Sequence, residues 1–139
     1  DYAVTGVQTC ALPIWPVSGQ PLDLDVSVVR LKEDHRQSFG KALAPLGACA
    51  VVRCAGIDIL LNSIRGQAFG TDLFTGIGVE LGNKKIVVVK SSQHFFASFA
   101  PIAEAVFYVA TLGSISADLA QFPYKRIQRP KWPLDQVQG

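Results

Sequence analysis

The sequence predicts an α/β fold whose mixed sheet contains an antiparallel hairpin and a parallel strand–helix–strand crossover. Alternating apolar and polar residues over 21–32 are typical of a half-exposed strand. Two short β-type runs separated by Ala55 and Gly56 indicate a hairpin. Two more apolar runs, 85–89 and 106–110, lie on either side of a helical pattern. Strand, helix and strand in that order favour a right-handed parallel crossover.

In the N-terminal half, the first strand carries Leu22, Leu24, Val26 and Val28 on one face and Asp23, Asp25 and Ser27 on the other. Residues 33–47 contain Gly40, Pro45 and Gly47 and show no clear period, which predicts a loop. The hairpin strands are 48–54 (ACAVVRC) and 57–61 (IDILL). A polar loop follows over 62–70, and Thr71 or Asp72 is the expected N-cap of a brief helix through Phe74.

In the C-terminal half, residues 85–89 are the most buried-looking strand of the sequence. Apolar residues at helical spacing begin at Phe95, and Pro101 predicts a kink or a helix restart. Residues 106–110 (VFYVA) predict another strand, and 116–121 a short helix. The proline-containing tail over 123–134 is expected to be an extended strap over the domain.

Composition bounds the class of protein. The chain has 139 residues, of which 49% are hydrophobic and 17% charged, enough for one compact domain with a core. A net charge of +2 gives no reason to expect nucleic acid or a membrane surface as a partner. The basic, aromatic tail could suit single-stranded nucleic acid, but packing through Ile127, Trp132 and Leu134 is the favoured interpretation. The three cysteines show no metal-binding spacing, which favours a reducing, cytoplasmic setting.

The first residues are a special case. VTGVQTCALPI (residues 4–14) resembles one reading frame of a short-read sequencing adapter, so residues 1–14 are set aside as an artefact. The native domain is then expected over 15–139, as a fragment that begins in the middle of a longer protein.

Four polar residues between a predicted strand end and a helix start form the first candidate site: Lys90, Ser91, Ser92 and His94. Ligands of open α/β sheets collect at this edge, and helix N-termini favour negative charge there. A cation, two hydroxyls and an imidazole suit a carboxylate or a phosphate. The equally weighted alternative is that a serine caps the helix, Lys90 is solvated and His94 is held in a local hydrogen bond.

A second candidate group follows the hairpin and contains Asn62, Ser63, Arg65 and Gln67. Arg65 could bind a carboxylate through two nitrogens. An ordinary polar surface loop is the favoured interpretation of this stretch. His35 follows two acidic residues, but the chain has only one other histidine and lacks a zinc-binding spacing. No metal ligand is therefore predicted.

Several segments in one order resemble a known family: GIDILLNS (56–63) with Arg65 and Gln67, IVVVKSSQHF (86–95), FAPIA (99–103), PYKR (123–126) and RPKWPLD (129–135). Together they resemble the C-terminal domain of the microcystinase C (MlrC-like) metallopeptidases, over about residues 16–135. The resemblance implies a zinc-dependent peptidase whose namesake acts on linearised microcystin and its small peptide product. It also implies that the zinc ligands belong to an N-terminal domain, which this chain lacks.

By the same resemblance, Lys90, Ser91, Ser92 and His94 match the family motif and face an inter-domain cleft, where they bind a substrate carboxylate or stabilise charge. Asn62 and Ile64 replace an expected threonine and basic residue, which weakens the case for the second group. The leading hypothesis is an accessory domain that is inactive alone. Its partners would be its own N-terminal domain and a small peptide or amide substrate. The alternatives are a stand-alone anion- or carboxylate-binding module and a structural or dimerisation domain.

Overall fold

A computed structural model of the chain describes residues 23–109 and 123–135. These residues fall into two compact units, one containing 23–108 and the other containing 109 and 123–135. The predicted helix over 116–121 and the segment 1–14 lie outside the described residues.

The first unit is built on a three-stranded antiparallel sheet in the order β1-β2-β3. Its strands are β1 (Ser27–Phe39), β2 (Ala42–Cys54) and β3 (Ile57–Asn62). The predicted hairpin is confirmed as β2 and β3, with Cys54 opposite Ile57. Ala55 and Gly56 form its turn with φ of 48° and 80°, and two positive φ values match the twist of the strands that they join.

The sheet is larger than the sequence predicted, because the expected loop over 33–47 is mostly strand. Only Gly40, at a φ of 61°, and Lys41 separate β1 from β2. Pro45 and Gly47 lie inside β2, and the register slips on both sides of the pair His35–Gly47. A bulge tolerates residues that break a regular ladder, and it also obscures the period of two.

The helices are short: α1 (Asp72–Thr75), α2 (Phe96–Phe99) and a 3₁₀ helix over Ala100–Ile102. The predicted α1 is confirmed, and Thr71 occupies the N-cap position without a side-chain hydrogen bond. The Asp72 carboxylate instead accepts hydrogen bonds from the backbone N and the Oγ of Ser38 in β1, at 2.8 and 2.6 Å. Pro101 lies at the start of the 3₁₀ helix, as the predicted restart requires.

The predicted parallel crossover does not form in the described part of the chain. Neither 85–89 nor the described part of 106–110 is a strand, and the described pairings are all antiparallel. Ile86 and Val88 are 81% and 83% exposed, and Phe107 is 82% exposed. A buried parallel strand needs a ladder partner and cover on both faces, and within the described part of the chain these residues have no ladder partner and stay exposed.

Two apolar clusters form the core of this unit. The larger consists of Leu46, Cys49, Val51, Ala68, Leu73, Ile77 and Val79, and the smaller of Leu81, Phe95 and Phe99. Phe74 and Val89 pack against both clusters, and the Phe74 and Phe99 rings meet edge to face at 6.2 Å. The segment after β3 is thereby held on the sheet, with α2 beside it.

A charged triad joins the hairpin to the segment that follows α1. The Asp58 carboxylate accepts hydrogen bonds from Arg53 Nε and Lys84 Nζ, both at 2.6 Å, and its side chain is only 8% exposed. The hydrogen bond from Arg53 has the larger effect, and together with the bond from Lys84 it holds the pKa of the Asp58 carboxyl well below its ordinary value.

The described part of the second unit contains a turn closed by Asp135. Its carboxylate accepts hydrogen bonds from Arg129 Nε at 2.9 Å and from the backbone N of Lys131 at 2.7 Å. The hydrogen bond from Arg129 has the larger effect, and together with the bond from Lys131 it lowers the pKa of the Asp135 carboxyl. Ile127 and Leu134 are partly buried, whereas Trp132 is 78% exposed, contrary to the packing expected of it. Across the described residues of both units, no helix is long and apolar enough to cross a membrane.

Candidate functional site

Three of the predicted site residues come together around one amide oxygen. Gln67 Oε1 lies 3.2 Å from His94 Nδ1 and 3.4 Å from Ser91 Oγ. Gln67 belongs to the loop after β3, whereas Ser91 and His94 precede α2. We call these residues the Gln67–Ser91–His94 cluster. Because an amide oxygen can only accept, this contact requires a proton on His94 Nδ1, and Nε2 is the ring nitrogen left for another partner.

Two phenylalanine rings flank the imidazole of His94. The Phe39 and Phe69 centroids lie 5.3 and 5.6 Å from that of His94, both with steep edge-to-face angles. Phe39 and Phe69 also contact each other at 4.5 Å. Such ring pairs favour defined orientations, so the histidine has an apolar wall beside its polar neighbours. The sequence does not reveal this wall, because Phe39 falls in the stretch that is predicted to be a loop.

The loop that carries Gln67 is fastened to β1 by a buried side chain. Gln37 is 1% exposed. Its Nε2 donates to the Gln67 carbonyl at 2.7 Å, and its Oε1 accepts from the backbone N of Phe69 at 2.8 Å. Gln37 was also missed, since inward-facing polar residues on β1 hide the alternation that would have extended the strand.

A second attachment lies at the far end of the same loop, where Asp72 binds Ser38. Gly70 packs into this junction. A Cβ on it would overlap Asp72 Oδ1 and approach the Ser38 carbonyl oxygen at 2.8 Å. The loop is therefore attached to β1 at two points, in its middle and at its C-terminal end, and Ser38 and Asp72 help to position the site.

The other candidate residues lie elsewhere or point to solvent. Ser63 Oγ accepts a hydrogen bond from the backbone N of Ala48 at 2.9 Å and so extends the β2–β3 pairing. Arg65, Lys90 and Ser92 are exposed, and none has a hydrogen-bond or salt-bridge partner among the described residues.

The capping alternative for the serines is wrong. Phe95 occupies the N-cap position of α2, and no side chain caps that helix. His94 is also not held locally, because its partner Gln67 lies 27 positions away in the sequence.

The described residues do not fit a metal site. Over 23–109 and 123–135, no group of three or more His, Cys, Asp or Glu side chains could hold an ion. His35 is buried, with Nε2 2.9 Å from the Leu73 carbonyl oxygen, and its Nδ1 has no hydrogen-bond partner among the described residues. Burial raises the pKa of the Cys49 thiol, which disfavours the thiolate that a metal or a nucleophilic reaction needs.

Comparison with known proteins agrees with the resemblance seen in the sequence. Residues 11–126 match the sequence profile of the family described as MlrC C-terminus. The chain is 36% identical over 120 residues to a protein named Microcystinase C from a Sphingomonas species, an alignment that covers 86% of this chain and 23% of that protein. The chain thus spans about a quarter of the length of the curated relative that it matches.

Proposed function

Because the chain belongs to the family of MlrC C-terminal domains, we propose that it is an accessory domain of a zinc-dependent metallopeptidase and that the Gln67–Ser91–His94 cluster lines the substrate cleft. The observation that carries the proposal is the convergence of family-motif residues from two distant segments on one amide oxygen. A histidine with one nitrogen bonded and the other available is suited to binding.

The proposed role of the cluster is to recognise negative charge on a small peptide or other amide substrate. His94 would offer Nε2 as a donor to a carboxylate when the ring is protonated, and the exposed Lys90 and Ser92 belong to the same turn. Hydrogen bonds to charged groups are stronger than neutral ones. The neighbouring Phe39 and Phe69 would exclude water on one side of such a contact.

The zinc ion and its ligands are assigned to the N-terminal part of the longer enzyme. The described residues of this chain do not fit a zinc site, and catalytic zinc commonly takes three protein ligands and a water. In the proposed division of labour, this domain binds and orients the substrate, while the N-terminal domain supplies the hydrolytic chemistry. The chain alone is then inactive.

The proposed partner is that N-terminal domain, and the proposed contacts are the exposed apolar side chains of Ile86, Val88, Phe107 and Tyr108. These side chains are between 64% and 83% exposed. Exposed apolar residues in groups commonly mark interaction surfaces. The matched relative is more than four times as long as the aligned segment, since that segment is 23% of it. We propose that its remaining part binds these exposed apolar residues.

A chimera tests the function directly. In the microcystinase C relative, this chain would replace the segment that it matches, and zinc-dependent hydrolysis of short peptides would be measured. We expect turnover by the chimera and none by the chain alone with zinc. Stoichiometric tight zinc binding or hydrolysis by the chain alone would show that the catalytic centre lies here instead.

The second candidate is a stand-alone carboxylate-binding module, favoured by the fact that the cluster forms entirely within this chain. Titration with acetate, followed by NMR at His94, separates the two functions. Saturable binding by the chain alone, together with an inactive chimera, would favour the module.

A further inference from the structure

We propose that Gln37 is a positioning residue for the candidate site, which holds the loop after β3 so that Gln67 presents its amide oxygen to His94 and Ser91. The inference deepens the proposed function and rests on it for its biological meaning. The geometry itself can be tested without any substrate.

The first support is the environment of Gln37. Glutamine is mostly exposed in proteins, yet this side chain is 1% exposed and both ends of its amide are hydrogen-bonded. Its amide pairs with the carbonyl of Gln67 and the backbone N of Phe69, in the way that a peptide group of a neighbouring strand would. Gln37 therefore provides hydrogen-bond partners for part-buried backbone groups of a loop that has no ladder partner among the described residues.

The second support is the identity of the two residues that it binds. Gln67 supplies the amide oxygen to His94, and Phe69 supplies one of the two rings beside His94. Phe39, which supplies the other ring, lies two positions from Gln37 in β1 and so faces the same side of the strand. One side chain thus sets both the polar and the aromatic neighbours of the histidine.

The third support is chemical. The contact needs a donor towards Gln67 and an acceptor towards Phe69, which a neutral carboxamide provides and a carboxylate does not. Glu at position 37 would keep the acceptor and the volume but lose the donor. Gln37→Glu is therefore the sharpest substitution, and Gln37→Met, which removes both hydrogen bonds, is its companion.

The experiment is ¹⁵N NMR of the imidazoles in the full chain, which contains only two histidines, with His94→Gln used for assignment. In the unsubstituted chain we expect His94 to be protonated on Nδ1. In Gln37→Met and Gln37→Glu, the ratio of the Nδ1–H to the Nε2–H tautomer should fall about fivefold, the equivalent of about 1 kcal/mol and of one typical hydrogen bond.

Val51→Ala is the matched control, because Val51 is equally buried but lies in β2 and belongs to the core. It should lower stability and leave the His94 tautomer unchanged. Combining Gln37→Met with Gln67→Ala should shift the tautomer no further than Gln67→Ala alone, as expected of residues that act through one contact.

An unchanged tautomer in folded Gln37→Met and Gln37→Glu chains would overturn the inference, as would failure of both variants to fold, which would make Gln37 a core stabiliser. If the tautomer shifts but neither acetate binding nor chimera turnover is found, the proposed function fails while the positioning role holds. If acetate binds and the tautomer does not respond, only the positioning role fails.

Discussion

At the scale of single residues, His94 combines an exposed ring with a fixed orientation. Gln67 holds its Nδ1, and Phe39 and Phe69 flank its plane. Local sequence predicted the histidine as a site residue, because a lysine, two serines and a histidine follow an apolar run. It could not predict Gln67 as the partner rather than a neighbour in the turn, since that contact depends on how a distant loop packs.

His94→Gln in the chimera should raise KM for a small acidic peptide about tenfold and change kcat little, because a hydrogen bond to a charged group contributes about 1.5–3 kcal/mol. Steady-state kinetics separate this outcome from a loss of kcat alone, which would indicate charge stabilisation in the transition state. Arg36→Ala is the control, since it removes only an exposed ion pair with Asp34. Equal KM values for the His94 and Arg36 variants would exclude His94 from substrate binding.

Asp58 is the residue with the clearest electrostatic contribution to stability. Because its folded-state pKa lies below the unfolded value of about 3.9, the stabilisation is complete above that value and is lost as pH falls towards the folded-state pKa. Asp58→Asn should lower the free energy of unfolding at pH 7 by about 2 kcal/mol. That deficit should shrink between about pH 5 and pH 2.

Urea denaturation at several pH values measures this deficit. Asp34→Asn provides the comparison, because Asp34 pairs with Arg36 while its side chain stays 69% exposed, and exposed pairs contribute little. A deficit for Asp58→Asn that does not change with pH would show that the charge of the Asp58 carboxylate does not contribute to stability.

At the scale of elements, the hairpin and α1 followed from local signals, whereas the extent of β1, of β2 and of the helix after Phe95 did not. Turn residues and β-formers act over a few positions, so they are visible in sequence. The bulge opposite Gly47 and the inward-facing His35 and Gln37 break the apolar alternation. Strand pairing across a bulge is a tertiary property, and the sequence therefore suggested a loop.

Gly47 and Gly56 provide a matched pair for testing the bulge. Both have positive φ, 71° and 80°, but a Cβ on Gly47 would overlap Ser63 Oγ and reach Ile64 Cγ1 at 3.0 Å, whereas Gly56 has open space. Gly56→Ala should cost about 1 kcal/mol from backbone strain alone, and Gly47→Ala about 1–3 kcal/mol more from the clash. Chemical denaturation measures both losses, and equal losses would show that the Ser63 contact gives way freely.

At the scale of the whole molecule, the sequence predicted a crossover that the described residues do not form. An apolar run such as 86–89 indicates that its residues are buried, but it does not show which chain segment packs against them. In this structure Val89 packs on both core clusters while Ile86 and Val88 face outwards. Residues of one run thus belong to two surfaces, one that packs on the core and one that is exposed.

Threonine substitutions separate these two surfaces. Ile86→Thr and Val88→Thr should change the free energy of unfolding of the chain by no more than about 0.5 kcal/mol, as expected for exposed positions, while Val89→Thr should cost about 1–3 kcal/mol because it places a hydroxyl among apolar side chains. The substitutions Ile86→Thr and Val88→Thr should instead weaken binding of the chain to the N-terminal part of the microcystinase C relative. Calorimetry with that part produced separately measures the affinity. If Ile86→Thr destabilised the isolated chain as much as Val89→Thr does, the 86–89 segment would be covered by the chain itself. If all three variants bound the N-terminal part equally well, the partner would be docking on another face.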